Sequence, residues 1–192
     1  MDVTGYLMAL GLATASGLNA WIPLLATGLL ARWTDLIDVN GSFAVLTHTP
    51  VLMALGVVAA ADVVGDKIPG VDHALHAAGT VIAPVTGVVA GLASTNALDV
   101  SPALIAVIGL VAAETTHGTR MAIRPFSTVG TGGLGNPVLS LIEDVGAIGL
   151  SLLAIVLPVL AAIVVLVAAV VAWRLIRRLR RRRADSAAAV VG

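Results

Sequence analysis

E-T-T-H-G-T-R-M-A-I-R-P, Glu114 to Pro125, closes an apolar run that begins at Pro102 and is long enough to cross a bilayer. Glu114, His117, Arg120 and Arg124 are expensive beside hydrocarbon. Such groups persist where they face a protein interior or a watery cavity, so an intramembrane ionisable residue is a candidate functional residue from the outset. The stretch therefore predicts a multi-pass helical membrane protein with a polar centre.

The rest of the chain agrees with that reading. Of its 192 residues 58% are hydrophobic and 11% charged, and mean hydropathy is +1.03. Soluble domains carry about 25% charged residues, so most of this surface is expected to meet lipid. At about 20 residues per crossing, the chain has room for five or six spans and for no separate soluble domain. There is no cysteine, which excludes disulfides, thiolate nucleophiles and cysteine-based metal sites. Ten arginines against one lysine, with abundant Ala, Val and Gly, suggest a GC-rich bacterial genome. The start, M-D-V-T-G-Y, lacks a basic n-region, so the first apolar run reads as a retained span.

Six apolar segments can be marked: Gly5 to Ala31, Pro50 to Val64, Ala74 to Ala93, Pro102 to Met121, one starting at Pro137, and one ending at Trp173. Pro50, Pro102 and Pro137 suit helix starts, where the missing N–H is an orphan anyway. Between Val138 and Trp173 lie 36 residues, roughly 54 Å of helix, too long for one hydrocarbon core of roughly 30 Å. Two helices meeting at Pro158 explain the length, with one long kinked helix as the alternative. The prediction is an all-α transmembrane domain over 1–173 followed by an Arg-rich, partly disordered cytoplasmic tail over 174–192.

Short echoes suggest an internal repeat. T-P-V-L at Thr49 to Leu52 resembles N-P-V-L at Asn136 to Leu139, and Gly17 to Pro23 resembles Gly118 to Pro125. Halves 1–95 and 102–173, three helices each, would make an inverted 3+3 repeat of the kind found in transporters. A second echo, His76 to Pro84 against His117 to Pro125, fits another register. Basic residues concentrate on the cytoplasmic side of membrane proteins. With six spans this rule places both termini, Lys67 and Arg124 in the cytoplasm of a bacterial plasma membrane and leaves Arg32 outside. A five-span arrangement fits less well.

Five groups of residues could carry function. Thr14, Ser16, Gly17, Asn19 and Pro23 mark a broken first helix or a close helix crossing; freed backbone at membrane depth must line a cavity or be buried in protein. Glu114, His117 and Arg120 follow at three-residue spacing, read as one helix face. The Glu114-x-x-His117 pair has di-metal spacing, with Asp62, Glu143 or Asp144 as further ligands, and a Glu114–Arg120 ion pair is the structural alternative. The glycine-rich stretch Phe126 to Pro137 reads as a flexible or re-entrant connector, with Asn136 capping the next helix. Glu143 and Asp144 lie about two turns into segment five and can reach Arg120 or Arg124. Asp72 and His76, one turn apart, read as part of a solvated cytoplasmic turn, with cation binding as the alternative.

Substrate or ion binding is thus expected at Asn19, Glu114, His117, Arg120, Arg124, Asn136, Glu143 and Asp144. No catalytic residue and no cofactor is singled out. Directly after a span, Arg174, Arg177, Arg178, Arg180 and Arg181 read as an anchor to anionic lipid headgroups, each worth about 1 kcal/mol, with no nucleic-acid partner. A homo-oligomer is compatible with all of this. A permease for a small solute or ion leads; a membrane-embedded enzyme or metal protein and a structural or lipid-organising protein are the rivals.

The strings S-G-L-N-A-W-I-P-L-L, G-D-K-I-P-G-V-D and T-T-H-G-T-R…G-G-L-G-N-P-V-L-S-L-I-E-D resemble a bacterial family of multi-pass proteins, domain of unknown function 4126, over about Gly5 to Pro158. The resemblance implies an integral membrane protein and supplies no substrate, catalytic residue or cofactor.

Overall fold

The computed structural model describes the backbone of residues 2–39, 41–68, 71–95, 98–131 and 135–191, and their side chains except at 73, 126, 131, 176 and 179–191. Among these residues there are seven α-helices and one 3-10 helix: α1 (Val3–Leu18), α2 (Ile22–Trp33), η1 (Gly41–Thr47), α3 (Thr49–Gly65), α4 (Val71–Ser94), α5 (Pro102–Thr131), α6 (Asn136–Val156) and α7 (Pro158–Val191). The chain divides into a unit over Met1–Ala162 and a second over Ile163–Gly192.

Three helical stretches are long and apolar enough to cross a membrane: Ala74–Ser94, Asn136–Val156 and Pro158–Leu175. A fourth arises if η1 and α3, bent by 65°, count as one broken span. Large apolar side chains face outward, for example Met53, Val57, Val81 and Ile142, while the interior holds Asn19, Asp66, Asp72, His76, His117, Arg124, Glu143 and Asp144, each at most 8% exposed. Water would reverse that arrangement. It suits a lipid solvent, in which the outer surface is apolar and polar groups must be satisfied inside.

The first unit is built around α1, which packs on α4, α5 and α6, while α4 also packs on α5. Small residues make these approaches close. A Cβ at Gly17 would lie 2.5 Å from the Ala113 carbonyl oxygen of α5, and one at Gly11 would lie 2.6 Å from the Ala154 side chain of α6. Close approach at small residues is how membrane helices gain packing energy where lipid removes the hydrophobic drive.

The expected first span is two helices, and Asn19 makes the break. Its N–H closes α1 on Ala15 O at 3.0 Å, and its Oδ1 accepts from the N–H groups of Trp21 (3.1 Å) and Ile22 (3.3 Å). Pro23 then sits in the first turn of α2, where it costs no hydrogen bond. At the other expected junction, Leu157 separates α6 from α7. Two helices therefore meet at Pro158. The Phe126 to Pro137 stretch is less open than expected, because α5 continues through Pro125 to Thr131; Gly132 to Leu134 lie outside the described residues.

Two hydrogen bonds fix which ends belong together. Asp2 N–H donates to Asp99 O (3.2 Å) and Ser101 N–H to Tyr6 Oη (2.9 Å), so the start of α1 and the connection before α5 share one end. At the opposite end of α1, Asn19 meets Asp62 of α3 and Asp144 of α6. Six alternating spans would put residue 2 and the 94–101 connection on opposite sides, so that arrangement does not hold. The chain leaves the Asn19 level through α2 and returns to it through α3, one helix more than the hydropathy pattern reveals. The echo of Gly17 to Pro23 in Gly118 to Pro125 is also not structural: the first is a helix break, the second lies within α5.

Candidate functional site

At the Asn19 end of the unit, five helices bring their charges together. α1 contributes Asn19 at its C-cap; Asp62 stands in the last turn of α3, with Asp66 and Lys67 just after it. α4 adds Asp72 and His76 from its first turns, α5 adds His117, Arg120 and Arg124, and α6 adds Ser140, Glu143 and Asp144. The C-terminal ends of α1 and α3 and the N-terminal ends of α2 and α4 all lie here, so partial helix charges of both signs meet at this level.

The ion pairs form one network. Arg120 Nη2 donates to Glu143 Oε2 at 2.7 Å and lies 3.5 Å from Asp66 Oδ2, while its Nη1 donates to the Gly17 carbonyl at 3.3 Å. Arg124 donates to Asp72, and its Nη2 donates to Glu143 Oε2 at 2.9 Å. Ser140 Oγ donates to Asp66 Oδ2 at 3.3 Å. Lys67 Nζ lies 3.4 Å from Asp144 Oδ2, and Asn19 Nδ2 bridges Asp62 Oδ2 (3.0 Å) and Asp144 Oδ1 (3.1 Å). Among the described residues Asp62 alone of these carboxylates has no cationic side chain within 4 Å. Five carboxylates thus face three permanent cations, a formal excess of two negative charges when all are ionised.

Beside Asp62 is a cavity of about 30 Å³, lined by Ser16, Ala20, Asp62, Asp66, Leu75, His76, Gly79, Ala83, His117 and Arg120. His117 Nε2 lies 3.2 Å from the His76 carbonyl, and the two imidazole rings are 6.2 Å apart. Gly79 makes room for this: a Cβ there would sit 2.5 Å from His117 Cε1. Asp66, Asp72 and His76 hold their ligand atoms within 4.8 Å of one another, a spacing a metal ion could use. Arg124 occupies that position, pairing with both carboxylates, so a guanidinium already supplies the cation.

Of the residues expected from sequence, Asn19, His117, Arg120, Arg124, Glu143 and Asp144 come together here. Glu114 does not. It is exposed on α5, and Arg120 takes Glu143 and Asp66 in place of the expected Glu114 pair. The reason is angular: at ~100° per residue, three-residue steps drift by ~60°, so His117, Arg124 and Arg120 share an arc of ~60° that leaves Glu114 outside. Without Glu114 the Glu-x-x-His metal pair has no basis. Asn136 also stands apart, donating to Thr128 Oγ1 at 3.0 Å, and the cap of α6 is Gly135. Asp72 and His76 are corrected in the other direction. They are buried parts of the network, not a solvated turn. Asp66 was missed, and the clue lay in charge pairing between segments: 62–76 holds three aspartates with one lysine, while 120–124 holds two arginines with no local acid.

In the second unit Arg177 stacks over the Trp173 ring at 4.3 Å, and Arg174 and Arg178 border the same recess. The side chains of Arg180 and Arg181 lie outside the described residues.

The fold and its centre define an all-helical protein of membrane type, apolar outside and charged within. The chain belongs to a family whose members share the domain of unknown function 4126 (DUF4126); the family's model matches residues 6–178. That match runs past Pro158 into the first arginines of the tail. Neither a curated protein nor a solved structure matches the chain.

Proposed function

We propose that this protein is a small permease of the bacterial plasma membrane that moves a proton or another small cation through its buried polar centre. One observation carries the reading: Asp62, a carboxylate without a cationic partner, borders a cavity in a network with more carboxylates than cations. Opposed charges held away from lipid are the usual mark of an ion or proton pathway. The cavity has the volume of one or two waters, which suits a small ion better than an organic solute. The carboxylate excess disfavours an anion. Asp62, His76, His117 and Arg120 line the path, and Asn19, Arg124, Glu143 and Asp144 position them.

The same reading sets the orientation. The end that carries Lys67 and Arg124 faces the cytoplasm by the basic-residue rule, which turns the start of α1 outward. The Arg-rich tail is cytoplasmic by the same rule and binds anionic headgroups through Arg174, Arg177 and Arg178. The number of crossings is then odd.

Proteoliposomes adsorbed to a supported membrane provide the test. A cation jump gives a transient current with the wild-type protein and none with Asp62→Asn that is still folded; absence of current with protons, sodium and potassium alike ends the reading. The rival reading, a structural protein locked by its charges, draws support from the carboxylate partners of Arg120 and Arg124. It predicts no current at all.

A further inference from the structure

We propose that the ion bound in the cavity is the proton, held between Asp62 and the Nε2 atom of His76; this rests on the permease reading and names its substrate. The lining argues against a metal cation. Hard cations take oxygen ligands, whereas this wall presents two imidazoles and the guanidinium of Arg120 beside its carboxylates and the Ser16 hydroxyl.

A proton needs only lone pairs, and two residues that line this cavity carry them. The first is Asp62. The second is His76, whose Nδ1 lies 2.7 Å from the Asp72 carbonyl oxygen and 3.2 Å from the Asp72 carboxylate. Both neighbours can only accept, so Nδ1 carries the hydrogen and Nε2 keeps an open lone pair. That Nε2 is buried and has no hydrogen-bond partner among the described residues, a costly state for an acceptor unless something donates to it.

The transfer balances simply. A hydronium in the cavity gives its proton to an Asp62 oxygen, leaving water and a neutral acid. The acid returns the proton through that water to His76 Nε2, and Asp62 is again a carboxylate. The resulting imidazolium faces Asp72 and, at 3.9 Å, Asp66. The other charged groups that bear on the pair are Arg120 and Arg124 from α5 and Asp144 from α6, with the His117 ring beside His76. Arg120 and Arg124 hold down the charge that the site can accumulate.

The test uses proteoliposomes containing a pH-sensitive dye in sodium-free potassium buffer, with a membrane potential set by valinomycin. Internal pH should change with the wild-type protein and with Glu114→Gln, and at least tenfold more slowly with Asp62→Asn and with His76→Gln. If radioactive sodium enters under the same potential while the dye stays constant, the proton assignment falls and the permease reading stands. If neither moves, the proton assignment falls, and the potassium-jump current decides whether the permease reading falls with it. Should the variants fail to fold, infrared difference spectra of the wild-type protein decide: a buried carboxyl band that follows pH and ignores sodium is expected, and one that follows sodium and ignores pH overturns the proposal.

Discussion

Glu143 accepts from two arginines through a single oxygen and ties them together, while Asp66 and Asp72 supply their other pairings. Removing one partner of a buried pair typically costs about 3–5 kcal/mol because the other charge stays behind. Glu143→Gln should therefore lower the unfolding midpoint in detergent by an amount in that range. Asn19→Ala loses the amide that bridges Asp62 and Asp144 and the oxygen that opens α2; the expected loss is about 1–3 kcal/mol, read by the same melt. Both arginines were legible in the sequence, because charge after an apolar run has few places to go. Glu114 was misread, since a three-residue spacing looks like one face and is not. Asp72 and His76 were misread because a turn with charges looks solvated until the arginines that cover it are placed in space.

Helices α1, α4 and α5 meet through glycines, and the meeting sets where the two histidines stand. Gly79→Ala should press on the His117 ring, since the added carbon would fall 2.5 Å from Cε1. Ion movement should drop several-fold with at most a modest change in melting. Gly17→Val should unfold the α1–α5 crossing outright, with little folded protein recovered in size-exclusion chromatography. Gly118→Ala, where a Cβ meets nothing within 4 Å, should be neutral or stabilising by up to about 1 kcal/mol through helix propensity. The starts of the helices were readable from Pro50, Pro102, Pro137 and Pro158. The break at Asn19 was visible as a run of polar and small residues, but its consequence, a separate α2, depends on hydrogen bonds that no hydropathy window detects.

Across the molecule, the pairing of Asp2 with Asp99 puts the start of α1 and the connection before α5 at one end, where six alternating spans would separate them. Apolar character and helical class followed from the sequence. The odd number of crossings proposed above was not legible there, because one extra helix in the first segment inverts every assignment upstream of it. Absence of native cysteine makes this easy to check. Single cysteines at Val3 and Asp99 should react with an impermeant maleimide from the same side of the membrane, and one at Ile68 from the opposite side. Labelling of positions 3 and 68 from one side would refute the arrangement.

The account turns on Asp62 being the carboxylate that its neighbours leave without a counter-ion. Thermal unfolding of purified Asp62→Asn beside Glu143→Gln tests that directly. Neutralising a carboxylate that lacks a counter-ion relieves repulsion from Asp66 and Asp144, so Asp62→Asn should melt above the wild-type protein even as it loses ion movement, the exchange of stability for function seen at active sites. Glu143→Gln should melt well below it. An Asp62→Asn protein that melts as low as Glu143→Gln would show that Asp62 is an ordinary member of a structural ion-pair network, and the permease reading would lose its foundation.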